Sequence, residues 1–300
     1  MSISVKEVAE EEFGSCAEIT FKDTEVLVTL EFGPRIVSVR KKGCAAPVFT
    51  KPDTALGRSH GHKMRITLDK STNGIYCDNS PVRYSPMAEG VRFVQTITEP
   101  AQLEVIMDVN FSEDGRMTVE HSVFNKSKEV VKLSIYTETP FEDKGFVFLS
   151  QGSVVTADRP TRIMTLWEDC KWSDERLVIG DKYITVHQSE NAEKLPRLKL
   201  GVNDTRGIAG FVGNDLALVK SYTHSRNALY PFYNCSAFAT ANSEYLSVQM
   251  TSPFYLVEPE ESARHIEVWD IVSLKGKASS KDESSIDEII SAANVSADDN

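Results

Sequence analysis

Cysteine is scarce in this sequence and comes in no pairs. The 300 residues hold five, Cys16, Cys44, Cys77, Cys170 and Cys235. Without a C-x-x-C spacing, neither a zinc site nor a disulfide framework is signalled. Free thiols in a reducing cytoplasm are the plain expectation. Positive charge is also in deficit: 33 Lys and Arg stand against 44 Asp and Glu, a net −11. Phosphate neutralisation needs clustered cations, so no nucleic-acid partner is expected. An anionic membrane surface is disfavoured on the same ground, and neutral ligands fit the overall charge best. No apolar run approaches the roughly 18 residues that suggest a membrane span. The opening "MSISVKEVAEEEFGS" is polar and acidic, so no secretory signal is expected. No G-x-S-x-G, Gly-rich phosphate loop or His/Asp/Glu group at metal spacing appears, which leaves triad hydrolases, P-loop enzymes and dinucleotide enzymes unsupported. No metal and no cofactor is expected.

What is present is alternation. From about residue 16 to 272, apolar and polar residues change places with period two, as in "EVLVTLEF", where Val26, Val28, Leu30 and Phe32 share a face. "RMTVEHSVFN" places Val119, His121 and Val123 on one side and Glu120 and Ser122 on the other. "EVVKLSIYTET" follows across "NKSK", which predicts a hairpin. Turn signals ("FGPR", "EDGR", "GVND", "VGND") recur at antiparallel spacing. With no repeating βα unit, the fold class is all-β: a large antiparallel two-sheet sandwich over residues 1–274, in one domain. Residues 275–300 form a polar acidic tail. Within it Ser285 and Glu288 have capping-box spacing, and Ile286, Ile289, Ile290 and Ala293 follow helical spacing. A short helix at 285–294 and a frayed tail are both open.

Three segments carry a family resemblance: "TFKDTEVLVTLEFGPRIVSVRKKG"; "GHKMRITLDKSTNGIYCDNSPVRY" with "VEHSVFNKSKEVVKLSIYTETPF"; and "NSEYLSVQMTSPFYLVEPEESARHIEVWDI". In order and spacing they resemble the opening hairpin, the Gly-His-Arg motif with its Asn-turn strand pair, and the final hairpin of the galactose mutarotase-like superfamily. The nearest likeness is to a bacterial branch of unknown function. The resemblance spans roughly residues 17–271. It implies a sandwich whose concave face holds a sugar, although fold alone does not fix function.

Mutarotation needs a base for the anomeric hydroxyl and an acid for the ring oxygen. The resemblance implies a glutamate base on the penultimate strand and a histidine acid. Counting back from Pro253, the base position here is Gln249, and an amide takes up no proton near neutrality. Glu138, in "IYTETP" on the same strand face as Tyr136, is the carboxylate that can step in, and Tyr136 offers a ring for stacking. The resemblance places His62 at the site, against a structural reading of equal weight. Lys63 stands where the branch has Arg, exchanging a planar fork for a point charge. Arg65, Asn79, Trp172 and Arg176 complete the candidate ligand contacts. For Arg176 an ion pair with Asp174 is the plainer reading, and for Asn79 a turn. His121, between Val119 and Val123, reads as a core histidine.

The expected partner is a small-molecule carbohydrate, and long edge strands leave a homodimer open. Three functions follow: a sugar-binding protein lacking the standard base, an aldose 1-epimerase using another carboxylate, or an interaction protein acting through its tail.

Overall fold

A computed structural model of the chain describes residues 3–43, 61–69, 74–76, 80–97, 102–141, 145–152, 164–189, 195–274 and 276–293. Strands are numbered along the chain. An N-terminal sheet holds, in order, β1 (Ser4–Glu10), β2 (Gly14–Phe21), β3 (Thr24–Thr29) and β4 (Ile36–Lys41). An eight-stranded sheet runs β13 (Met164–Leu166), β16 (Leu198–Val202), β19 (Ala237–Ala241), β20 (Leu246–Thr251), β11 (Val131–Phe141), β5 (Lys63–Leu68) and β6 (Ile75–Tyr76). Its eighth strand, β21 (Tyr255–Val257), also pairs with β11. A ten-stranded sheet runs β14 (Leu177–Ile179), β15 (Tyr183–His187), β12 (Phe146–Ser150), β17 (Ile208–Val212), β18 (Leu216–Tyr222), β22 (Ser262–Ser273), β10 (Met117–Asn125), β9 (Leu103–Phe111), β8 (Gly90–Ile97) and β7 (Arg83–Pro86). All the pairings are antiparallel, as the alternation predicts.

Because successive side chains point to opposite faces of a strand, each sheet gives one set of residues to a shared interior. Val248 and Met250 of β20, Ala237 and Ala239 of β19, Leu149 of β12, Phe211 of β17 and Trp269 of β22 lie in one apolar cluster. The two large sheets are therefore the layers of a sandwich.

Two hairpins predicted from sequence are sheet-switching corners. β10 pairs with β9 and β22 in the ten-stranded sheet, while β11 pairs with β5, β20 and β21 in the other. The final pair splits in the same way: β20 and β21 follow one another along one edge of β11, and β22 joins β10 and β18. Asn125 fastens the two corners together. Its side-chain amide donates to the carbonyls of Glu129 (2.8 Å) and Val257 (2.9 Å), its Oδ1 accepts from the Ser127 amide at 3.0 Å, and its own amide donates to the Glu261 carbonyl at 2.9 Å. A short turn sequence fits a hairpin or a corner equally well. The difference lies in which strands lie alongside.

Between the sheets lies a polar cluster in which every member is buried. Lys220 of β18 reaches Glu267 of β22 at 2.6 Å and donates to Thr139 of β11 at 2.7 Å. Glu267 also accepts from the Trp269 indole at 2.8 Å and from Thr137 of β11. His62, just before β5, places Nδ1 2.9 Å from the Thr139 hydroxyl and Nε2 2.8 Å from Nε2 of His121 on β10. Gly61 allows this approach: its φ is +64°, and a Cβ there would lie 2.5 Å from the Ile36 carbonyl. Ile36 and His62 then exchange backbone hydrogen bonds at 2.8 and 3.1 Å, which ties the N-terminal sheet to β5. His121 is the core histidine its apolar neighbours suggested.

The tail forms a helix, α2 (Glu283–Ala292). Its cap is Asp282, which accepts from the Ser284 amide at 3.1 Å, and not the Ser285 cap of the capping-box reading. The helix therefore starts two residues earlier than predicted. Ile286, Ile289, Ile290 and Ala293 are buried against Phe146, Phe148, Ile208 and Val219, on the outer face of the ten-stranded sheet. Glu283 accepts from the amides of Lys182 (2.7 Å) and Tyr183 (2.9 Å), and Asp287 accepts from the Tyr183 hydroxyl at 2.7 Å. Among the described residues no helix is long and apolar enough to cross a membrane.

Burial pushes His62 well below the ordinary histidine range and His121 down to about 3, so both are neutral in the fold. Burial opposes the charge on Glu267 as well and is the largest single influence, but Lys220, His62 and His265 together outweigh it and hold the carboxyl well below its ordinary range. The unfolded histidines take up protons near pH 6.5, before the folded ones can. Stability should thus be full above about pH 6.5 and fall as pH drops toward 3, by about 1.4 kcal/mol per histidine per pH unit. The buried Asp204 carboxyl, pushed up by burial to about 7, pulls the other way over this range. The test therefore compares urea midpoints at pH 7.5 and 5.5 in the wild type and in His121→Gln; an equal pH response in the two contradicts a neutral His121. Lys220→Met strands a buried carboxylate and should cost about 3–5 kcal/mol, most of it recovered when Glu267→Leu is added.

Candidate functional site

The alternation that sends Thr137 and Thr139 inward sends Tyr136 and Glu138 out through the other face of the eight-stranded sheet. Register then assembles a rung across five strands: Gly201 (β16), Phe238 (β19), Gln249 (β20), Glu138 (β11) and Lys63 (β5) are successive cross-strand partners. A parallel rung pairs Thr251, Tyr136 and Arg65. These neighbours on one face are the sheet's unit of side-chain interaction.

Gln249 is fully buried. Its amide nitrogen donates to Glu138 Oε1 at 3.3 Å, to the Thr240 hydroxyl at 3.1 Å and to Ser247 Oγ. Glu138 keeps 22% of its side chain exposed and faces Lys63 at 4.0 Å. The Arg65 guanidinium lies over the Tyr136 ring, 4.2 Å from its centroid. Lys63, Met64, Arg65, Tyr136 and Glu138 bound a recess of about 10 Å³, which has room for a single water or hydroxyl.

Lys199 of β16 is the fourth cationic or acidic group on this face, and sequence reasoning missed it. It is 8% exposed, with its ammonium 4.7 Å from the Trp167 ring centroid, 5.3 Å from Phe238, 5.6 Å from Tyr136 and 5.9 Å from Phe232. The Tyr136 hydroxyl is its hydrogen-bond partner at 3.4 Å. Burial and the nearby Arg197 guanidinium lower this amine to about 8. Burial also keeps the Tyr136 hydroxyl protonated. Gly201 makes the cage possible, because a Cβ there would meet the Phe238 ring at 2.7 Å. The signal in sequence was "LKLGV": Leu198, Leu200 and Val202 are apolar, with a lysine and a glycine between them.

Phe232 comes from α1 (Pro231–Asn234), which has left-handed backbone at Phe232 (φ 53°), Tyr233 (φ 62°) and Asn234 (φ 62°). Three such residues in a row without glycine are costly. The turn is held by Asn203, whose side chain donates to the Asn234 carbonyl at 2.7 Å, and by Asn234 Oδ1, which accepts from the Tyr230 amide at 2.9 Å. Strain that the surroundings hold in place gathers at functional sites. Here it turns Phe232 onto Tyr136 and leaves Tyr233 86% exposed.

Among the predicted site residues, the structure brings Glu138, Gln249, Lys63, Arg65 and Tyr136 together. Three others lie apart. His62 belongs to the cluster between the sheets, with both ring nitrogens occupied, on the inner side of β11. Arg176 is fully buried and bidentate to Asp174 (2.8 and 2.9 Å), and it also donates to the Pro196 carbonyl at 2.6 Å. It anchors a loop, as the ion-pair reading had it. Trp172 is 62% exposed, while Trp167 supplies the ring beside Lys199. Asn79 lies outside the described residues. Among the described residues no group of three or more His, Cys, Asp or Glu could hold a metal ion.

No protein-family model matches the chain, and no curated protein matches it in sequence. Solved structures do match. A galactose mutarotase-like protein from Clostridium acetobutylicum has 13% identity and a TM-score of 0.56, with 91% of this chain and 99% of that one covered. A galactose mutarotase-like protein from Lactobacillus casei has 9% identity and a TM-score of 0.56, covering 86% and 100%. A provisionally assigned aldose 1-epimerase from Klebsiella pneumoniae has 10% identity and a TM-score of 0.61, covering 97% and 88%. The chain has the galactose mutarotase-like fold.

The left-handed turn makes its own prediction. Tyr233→Gly removes the steric cost of positive φ at an exposed position and should raise stability by about 1 kcal/mol in denaturant unfolding. A loss of stability would mean that the ring, and not the backbone, holds the turn.

Proposed function

We propose that the outward face of the eight-stranded sheet binds a carbohydrate, and that the chain does not interconvert anomers by the base-and-acid route that the resemblance implies. One observation carries this: the amide of Gln249 stands where the base is expected, fully buried and bonded to Glu138, Thr240 and Ser247. An amide has no basic lone pair to accept the anomeric proton. The expected acid is missing from this face too, since His62 faces the interior. What remains suits binding: the partly open Glu138 carboxylate for hydroxyls, and the half-buried rings of Trp167 and Phe232 for the apolar face of a pyranose. The recess is smaller than a sugar, so the ring of the ligand lies across its mouth, where Glu138 is partly open.

A second reading rests on that same Glu138. It is the one acidic side chain lining the recess among the described residues, and a lone carboxylate can relay a proton through water. On this reading the chain is an aldose 1-epimerase of altered chemistry. The tail reading is weaker, because the apolar face of α2 is already spent on the sandwich.

Exchange NMR on glucose and galactose anomers separates the first two readings. No acceleration above buffer is expected from the wild-type chain; clear catalysis that Glu138→Gln abolishes establishes the second. Gln249→Glu adds a further prediction. It sets two carboxyls about 3.3 Å apart, so one must hold a proton and its folded pKa rises. Its stability should match the wild type near pH 5 and fall below it by about 1–3 kcal/mol at pH 8. A variant as stable as wild type at pH 8 contradicts the close contact.

A further inference from the structure

Cations gather on this face of a chain whose net charge is negative. The net charge is −11, yet Lys63 and Arg65 of β5, Lys199 of β16 and Arg197 just before it converge on a region where Glu138 is the carboxylate that acts on Lys199. Composition favoured a neutral ligand; the local arrangement does not. From this geometry we infer that the carbohydrate is acidic, carrying a carboxylate or a phosphate group that the cations around Tyr136 recognise. The inference rests on the proposed sugar-binding reading and names its ligand class.

Lys199 carries the argument. An ammonium more than nine-tenths buried is costly unless paired, and among the described residues no carboxylate forms an ion pair with it. Four rings and one tyrosine hydroxyl hold it, and cation–π contacts offset part of that cost. Arg65 shares two of those rings, Tyr136 and Phe232. Like charges so placed repel: Arg197 and Arg65 both act to lower the amine, and Glu138 raises it by less than burial takes away. An anion close to the amine would favour its charged form. If the lysine served only as structural filler, a methionine would fill the cage at lower cost.

Binding an anion should also return Lys199 toward the ordinary lysine range, so protons are taken up on binding. The groups facing this amine are Arg197, Arg65, Glu138, Tyr136 and Cys235. Tyr136 and Cys235 are both held protonated by burial, which leaves Lys199 as the group that titrates near pH 8.

The test is calorimetric titration of the full chain with galacturonate, glucose 6-phosphate, galactose, glucose and inorganic phosphate, at pH 7 and pH 8 in buffers of different ionisation enthalpy. At least one acidic sugar should bind tenfold or more tightly than its neutral counterpart, with proton uptake at pH 8. Which acid wins tells a carboxylate from a phosphate ligand. Lys199→Met should remove that advantage and the proton uptake, whereas Lys199→Arg should keep the preference for the acidic sugar and lose the uptake. Neutral and acidic sugars binding equally would overturn this inference and leave the sugar-binding reading standing. No sugar binding at all overturns both. Inorganic phosphate binding as tightly as the sugar phosphate overturns the inference in favour of a plain anion site.

Discussion

The buried ion pair between Lys220 and Glu267 is the contact on which the placement of the site depends. Both charges lie fully inside the sandwich, where solvation is lost and each needs the other. Thr139 and Thr137 of β11 are drawn in as hydrogen-bond partners, which fixes which residues of that strand face the interior. Period-two geometry does the rest. With 137 and 139 inward, Tyr136 and Glu138 have to face outward, and the strand cannot slip by one residue without withdrawing both threonines from the ion pair. His62 belongs to this interior support, one layer beneath the carboxylate it was expected to assist.

The support also explains the amide at Gln249. Its cross-strand partner is Glu138, and both Thr240 and Ser247 point at the same nitrogen. A glutamate in that position would crowd a second negative charge into a buried rung. A glutamine instead donates to the first carboxylate and stays neutral. Gln249 is thus the residue that lets Glu138 remain beside a set of cations. The ordering of the face follows from the same rung: small Gly201 admits Phe238, Phe238 closes over Lys199, and the left-handed turn brings Phe232 to complete the cage.

Much of this was legible from alternation. The strands, their antiparallel pairing, the shared face of Tyr136 and Glu138, the apolar spacing of α2 and the pairing of Arg176 with Asp174 all follow from local patterns. What was hidden depends on partners distant in sequence. "NKSK" reads as a hairpin turn until Asn125 is seen bonded to Val257, 132 residues away. His62 lies at the junction of β5 with the N-terminal sheet, where alternation within the strand no longer says which side it faces. Lys199 looked like any strand lysine, because its cage is built from four separate segments. The backbone of Phe232, Tyr233 and Asn234 carries no glycine to announce its left-handed turn.

The central claim, that this face binds a sugar, is most directly met by saturation-transfer difference NMR. Saturating the aromatic protons of the protein in the presence of galactose or galacturonate should transfer signal to the sugar's ring C–H protons, and Glu138→Ala should abolish the transfer. Absence of transfer with the wild-type chain, or transfer undiminished in the Glu138 variant, would contradict it.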